Sequence, residues 1–183
     1  MNQRTLWMLL ATMSAGGCAA TTPRATPEPS ATSATATYRI SGAPARFQHA
    51  TVEGGRIFGP AIELTSSGGA YRGQAYGETV DLHWDGDQLV GRVGNGPAAS
   101  LHFRELTDGF DMIGTFGNNR GVLALRSNRL LGALGSRRFD LITDDGLSYR
   151  EVTGRPMEVV LSPGIVELPP RERAVVLAML LRH

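Results

Sequence analysis

The sequence predicts an all-β fold, an antiparallel up-and-down meander that closes into a barrel or a barrel-like roll and is followed by a short C-terminal helix. Apolar and polar residues alternate in short runs from Ala61 to about Thr153, which is typical of roughly ten strands with one buried face. Turn residues separate these runs, as they do in hairpins joined in chain order. Such a meander leaves no unpaired edge when its first and last strands meet.

The β domain is expected to span residues 38–168. Outside the central meander, the same alternation indicates strands at 38–41, 46–52 and 157–161. Leu168-Pro169-Pro170 then ends the strands, because proline cannot donate a hydrogen bond to a sheet ladder.

Residues 169–183 change from strand-like to helix-like character. Pro170 suits the first position of a helix, and eight apolar residues follow from Ala174 to Leu181. This run cannot cross a bilayer, which needs about 20 residues. We expect the helix to cover one end or edge of the sheet, and a helix that binds a partner or touches a membrane is the alternative.

Four glycines recur at equivalent places after the predicted hairpin turns. The turns used to set the register are Ser67-Gly68, Asp85-Gly86, Asp108-Gly109 and Asn128-Arg129. That register places each glycine opposite an inward apolar residue: Gly73 opposite Ile62, Gly91 opposite Val80, Gly114 opposite Phe103 and Gly132 opposite Leu125. We interpret the four as structural glycines, because a missing side chain leaves room for a bulky neighbour and lets a curved sheet bend.

The N-terminus has the order of a secretory signal. Arg4 lies in a short polar start, an apolar run extends from Leu6 to Met13, and small residues lead to Cys18. The segment Ala15-Gly16-Gly17-Cys18 resembles the lipobox of bacterial lipoprotein precursors, with Ala15 where leucine is usual. The resemblance implies a signal peptide over residues 1–17, cleavage before Cys18 and lipid attachment at that cysteine, which would be the chain's contact with a membrane.

The resemblance also implies a location. A chain lipidated at Cys18 is anchored to a membrane of the cell envelope, and Ala19, in place of aspartate, resembles release toward the outer membrane. Residues 18–37 hold this cysteine and a linker of mostly Ala, Thr, Ser and Pro, which lacks the large apolar side chains that a core needs. We expect the linker to separate the β domain from the membrane.

The composition argues against several functions. Lys plus Arg number 18 and Asp plus Glu number 17, and no basic stripe with interleaved aromatic residues predicts nucleic-acid binding. Cys18 is the single cysteine, so the β domain can hold neither an internal disulfide nor a thiolate metal site.

No catalytic, cofactor or metal motif is found. The segment His83-Trp84-Asp85-Gly86-Asp87 contains groups that serve as bases or ligands elsewhere, but alternation places His83 on the polar face and Trp84 inward. His49, His102 and His183 have no second histidine at metal-ligand spacing. A weak divalent-cation site is the open alternative at one end of the meander, where five aspartates lie in or beside turns: Asp85, Asp87, Asp108, Asp144 and Asp145.

These observations favour a non-catalytic, membrane-anchored lipoprotein whose β domain has a structural or interaction role toward an envelope protein or polymer. The alternative is a carrier of small apolar ligands with a lipocalin-like barrel, which requires an open interior. A hydrolase is the third hypothesis, and it requires at least two of the histidines and aspartates named above within hydrogen-bond reach.

Overall fold

The computed structural model describes residues 34–41, 46–116, 119–134, 137–151 and 156–182. The predicted signal peptide, Cys18, most of the linker and His183 lie outside these residues. Fourteen antiparallel strands form one closed barrel in chain order. The strands are β1 (Ala34–Ile40), β2 (Arg46–Glu53), β3 (Arg56–Gly59), β4 (Ile62–Ser67), β5 (Ala70–Ala75), β6 (Glu78–Asp85), β7 (Gln88–Val93), β8 (Ala99–Leu106), β9 (Gly109–Phe116), β10 (Asn119–Leu125), β11 (Arg129–Leu134), β12 (Arg137–Ile142), β13 (Ser148–Glu151) and β14 (Met157–Leu161).

The predicted barrel is confirmed, and its closure is made by the first and last strands. β1 pairs with both β2 and β14, so the sheet has no free edge. The ten strands β4 to β13 lie where alternation predicts them. β1 begins at Ala34, inside the segment that the sequence assigns to the linker.

Each strand buries one face, and the faces agree with the alternation. Val80 and Leu82 on β6 point into the barrel and are at most 1 % exposed, whereas Asp81 and His83 between and beside them are exposed. The outer face carries cross-strand pairs of arginine and carboxylate, for example Arg72 with Asp81 at 3.1 Å. The barrel therefore separates an apolar inside from a charged outside.

The predicted glycine pairings are wrong by two residues in all four hairpins. Each structural glycine instead lies opposite an inward leucine: Gly73 opposite Leu64, Gly91 opposite Leu82, Gly114 opposite Leu101 and Gly132 opposite Leu123. The reason is visible in the first hairpin, where Gly68 and Gly69 both have positive φ and form the two-residue turn, so that Ser67 pairs with Ala70. A shift of two residues keeps every side chain on its predicted face.

The glycines leave room for the backbone of the neighbouring strand more than for the side chain opposite them. A Cβ built on Gly91 would overlap the carbonyl oxygen of Asp81 on β6 and lie 2.9 Å from Cα of Leu82. Gly91 also has a φ of +139°, which residues with a side chain rarely adopt. Cβ atoms at Gly73 and Gly114 would overlap the carbonyl oxygens of Glu63 and Ser100 in the same way. These positions therefore allow neighbouring strands to approach closely where the sheet bends.

Two helices follow the last strand, α1 (Pro163–Glu167) and α2 (Pro170–Leu181). The predicted helix is α2, and the expectation that it covers an end or edge of the sheet is wrong. All eight residues from Ala174 to Leu181 are fully buried, on every face of the helix. A helix that is apolar all round can be buried all round only when it is surrounded by other elements, and α2 belongs to the same apolar core as the inward residues of the strands.

Contacts at the two ends of α2 show that it runs lengthwise through the barrel, because they reach residues at opposite ends of β6. Arg171 donates a hydrogen bond of 2.6 Å to Asp87, which follows β6 in the chain. Arg182 forms an ion pair with Glu78, the first residue of β6. Tyr76 donates its hydroxyl to the carbonyl of Leu180 at 3.2 Å. A 12-residue helix is about 18 Å long, so α2 spans the barrel from one end to the other.

Small residues line one of the two walls that α2 approaches most closely, the one formed by β1 and β2. The helix lies near β1 and β2 on one side and near β9 on the other side of the ring. Ala36 on β1 and Ala50 on β2 are paired with each other and fully buried. Their short side chains let the helix approach the sheet, and burial of the larger leucines fills the remaining space.

We predict that Leu177→Ala lowers the free energy of unfolding by about 2 to 5 kcal/mol, because it leaves a cavity inside the barrel. Urea denaturation followed by circular dichroism measures the change. Ile142→Ala, at a side chain that is 47 % exposed, is the control and is expected to cost less than about 1 kcal/mol. Equal effects of the two substitutions would contradict the internal position of α2.

We also predict that Gly91→Ala destabilises the barrel by about 1 to 3 kcal/mol, because the new methyl group meets the backbone of β6 and φ is strained. Gly96→Ala is the matched control, since no atom lies within 4 Å of a Cβ built there. Thermal unfolding of both variants measures the difference, and a silent Gly91→Ala would contradict the close strand approach.

Candidate ligand pocket

A pocket of about 670 Å³ lies at the barrel end where α2 begins. Its walls come from the β8–β9 turn, the β10–β11 turn, the loop between β12 and β13, and the segment that joins β14 to α2. The loops at this end meet because strands alternate in direction, so every second connection returns to the same end. Pockets of this size accommodate small organic ligands.

One wall of the pocket is held by a charged cluster on β8, β9 and Arg126. Asp111 is 8 % exposed and accepts hydrogen bonds from Arg104 at 2.6 Å and Arg126 at 2.5 Å. Burial raises the pKa of Asp111, but the two guanidinium groups outweigh it and hold the pKa below its ordinary value. Arg126 also donates to the carbonyls of Phe110 and Leu125, both at 2.9 Å. The guanidinium group of Arg126 is thus occupied by protein acceptors.

A second wall is the loop between β12 and β13, which Asp145 organises. Its carboxylate accepts hydrogen bonds from the backbone N–H groups of Ser148 at 2.7 Å and Leu147 at 2.8 Å, and from the Thr143 hydroxyl at 2.7 Å. These bonds lower the pKa of Asp145 to about 2, and the bond from Ser148 has the largest effect. Tyr149, just after the loop, donates its hydroxyl to the carbonyl of Arg126 at 3.2 Å and joins the two walls.

Arg173 is the cation of the pocket whose donors are least used. It lies in the first turn of α2, partly buried, and its Nε is buried without a hydrogen-bond partner among the described residues. One Nη donates to the carbonyl of Leu168, at the long distance of 3.4 Å. Burial lowers the pKa of Arg173, and electrostatic interactions with Tyr149 and Glu105 partly oppose that shift. The group is charged at neutral pH all the same, so the pocket contains an incompletely satisfied cation.

Besides Asp145, three carboxylates line the same pocket as this arginine. They are Glu105, Asp108 and Asp144, and within the described part of the chain none of the three forms an ion pair. The pocket can therefore offer donors at one place and acceptors at another, which suits a ligand that carries both signs of charge.

The predicted acidic end exists, but its aspartates have separate roles. Asp145 holds its own loop, Asp87 pairs with Arg171, and Asp108 and Asp144 line the pocket. Among the described residues, no group of three or more His, Cys, Asp or Glu side chains is placed to hold a metal ion.

His102 lines a small pocket with Asp87 and Glu105, but among the described residues no hydrogen bond joins a histidine to a carboxylate. His49, His83 and His102 lie on β2, β6 and β8, where their neighbours on either side in the strand point inward. His83 is exposed and Trp84 packs against the core, as predicted. The arrangement that the hydrolase hypothesis requires is not found among the described residues.

Sequence reasoning missed Arg173, Tyr149 and Arg126 as pocket residues. One signal was available, because Arg173 is the last charged residue before eight apolar ones in α2. Arg173 becomes a pocket residue only because α2 enters the barrel, which places the first turn of the helix against the pocket.

No known protein family, curated protein or solved structure matches this chain. In the described part of the chain, neither helix has the length and apolar character needed to cross a membrane.

We predict that acid destabilises the barrel as the pH falls from about 4 toward 2. The Asp145 carboxylate has an ordinary pKa of 3.8 and a folded pKa of about 2, so its stabilising effect is present above pH 4 and is lost as the pH falls through the folded value. Asp145→Asn should be less stable at pH 6 and should show a smaller loss of stability between pH 4 and pH 2.

Urea denaturation at each pH measures this dependence. Asp144→Asn is the control, since Asp144 makes no such hydrogen bonds among the described residues. An Asp145→Asn protein with the same acid dependence as the control would contradict the assigned role.

Proposed function

We propose that this chain is an exported lipoprotein, anchored to a membrane of the cell envelope through lipid on Cys18, with a non-catalytic barrel that has a structural or interaction role. The lipobox-like segment before Cys18 supports the anchor. The linker supports a barrel held at some distance from the membrane.

One observation carries the choice of a non-carrier role: α2 occupies the inside of the barrel. A lipocalin-like carrier needs that space for its cargo. Emptying it would expose the apolar residues from Ala174 to Leu181, at roughly 1.5 kcal/mol or more for each large side chain. That total is comparable to the whole stability of a typical domain, so contacts with a partner are expected at the outer surface or the ends.

The carrier is the second candidate, because a closed barrel with an apolar interior is the architecture that such carriers use. It requires α2 to leave the interior when cargo enters. The two candidates therefore differ in whether an apolar molecule is retained in the purified protein.

Mass spectrometry of the full chain, expressed in a bacterium and extracted in mild detergent, tests both parts of the proposal. We expect the intact mass to lack residues 1–17 and to include a diacylglycerol on Cys18, and native spectra to contain no further apolar molecule. Cys18→Ala should abolish the lipid mass and membrane partitioning, whereas Ser30→Ala in the linker should change neither. An unmodified Cys18 would refute the anchor, and a stoichiometric apolar cargo would favour the carrier.

A further inference from the structure

We propose that the pocket at the start of α2 binds a small zwitterion, an amino acid or a short peptide with free termini, whose carboxylate contacts Arg173 and whose ammonium group faces Asp108 and Asp144. The inference rests on the pocket alone and does not depend on the lipid anchor.

The carboxylate end is argued from Arg173. Its Nε is buried without a partner, and its bond to the Leu168 carbonyl is long. The accessible Nη groups therefore have unused donors, and a carboxylate satisfies a guanidinium group with two hydrogen bonds. The arginine also lies in the first turn of α2, where the positive end of the helix dipole disfavours a cation and favours an added anion.

The ammonium end is argued from the surrounding acids. Glu105, Asp108 and Asp144 line the same pocket as Arg173. A ligand with negative charge only would be repelled by these three carboxylates, whereas one with an added ammonium group is attracted by them. Arg126, Asp145 and Tyr149 do not compete for the ligand, because they are bonded to the protein itself.

The volume sets the size of the ligand. A pocket of about 670 Å³ that opens to solvent can take a single amino acid or a short peptide with small side chains. The apolar parts of Leu125, Leu147 and Val166 on its wall would contact the aliphatic portion between the two charges.

Isothermal titration calorimetry on the full chain in mild detergent tests the proposal with alanine, alanyl-alanine and trialanine. N-acetyl-alanyl-alanine and alanyl-alanine amide remove one charge each. We expect at least one free zwitterion to bind, and each blocked form of alanyl-alanine to bind at least about 10-fold more weakly, as the loss of one charged hydrogen bond implies. Glycerophosphoethanolamine, a zwitterion with phosphate in place of carboxylate, should bind more weakly than the best peptide.

Variants assign the two ends. Arg173→Gln should abolish binding, and Arg56→Gln, which removes an exposed surface pair with Glu63, should leave it unchanged. Asp108→Asn combined with Asp144→Asn should reduce the affinity for alanyl-alanine about 10-fold and leave that for its N-acetyl form unchanged. If Arg173→Gln does not fold, the double variant of Asp108 and Asp144 still tests the proposal by this difference between the two ligands.

Three results would overturn the inference: no zwitterion binds, blocked and free peptides bind equally, or glycerophosphoethanolamine binds best. Repeating the titration with Cys18→Ala separates this test from that of the anchor, since that substitution removes the lipid site and leaves the pocket intact.

Discussion

A ring of fourteen strands encloses more space than its own inward side chains can fill, and the structure of this protein depends on how that space is occupied. The apolar stretch of α2 fills it. Because the helix packs against inward residues from around the ring, the sheet and the helix stabilise each other, and neither has a complete core alone. The polar ends of the helix, at Arg171 and Arg182, keep the apolar stretch in place along the barrel.

The shape of the sheet follows from the same requirement. Walls that approach a single helix from two sides must bend sharply between those sides, and glycines stand where neighbouring strands come closest.

Tyr76 has a strained backbone conformation at the turn between β5 and β6. It is the one residue other than glycine with positive φ in the described part of the chain, and its hydroxyl binds the last turn of α2. Strain at this turn is thus offset by a contact that holds the helix.

Because α2 fills the interior, we expect a ligand or partner to bind at the outer surface or at the ends of the barrel. At the end where α2 enters, the helix places Arg173 against loops that internal hydrogen bonds hold in place, and three carboxylates on these loops form no ion pair among the described residues. A rigid frame around a few charged groups that lack protein partners is the usual arrangement of a small-molecule site. The outer face, where arginines pair with carboxylates across strands, offers mixed charge.

The sequence by itself determined most of the local features: all strands but β3, which faces point inward, the hairpin turns to within one residue, and that Pro170 begins a helix. These features depend on neighbours two to five residues apart, which the sequence displays directly. It did not determine the register, because a shift of two residues leaves the faces of Phe103 and Gly114 unchanged, and only the turn conformation distinguishes the alternatives. The internal position of α2 and the role of Arg173 were decided by the tertiary structure, since they depend on the volume inside a closed ring, and that volume is set by all the strands together.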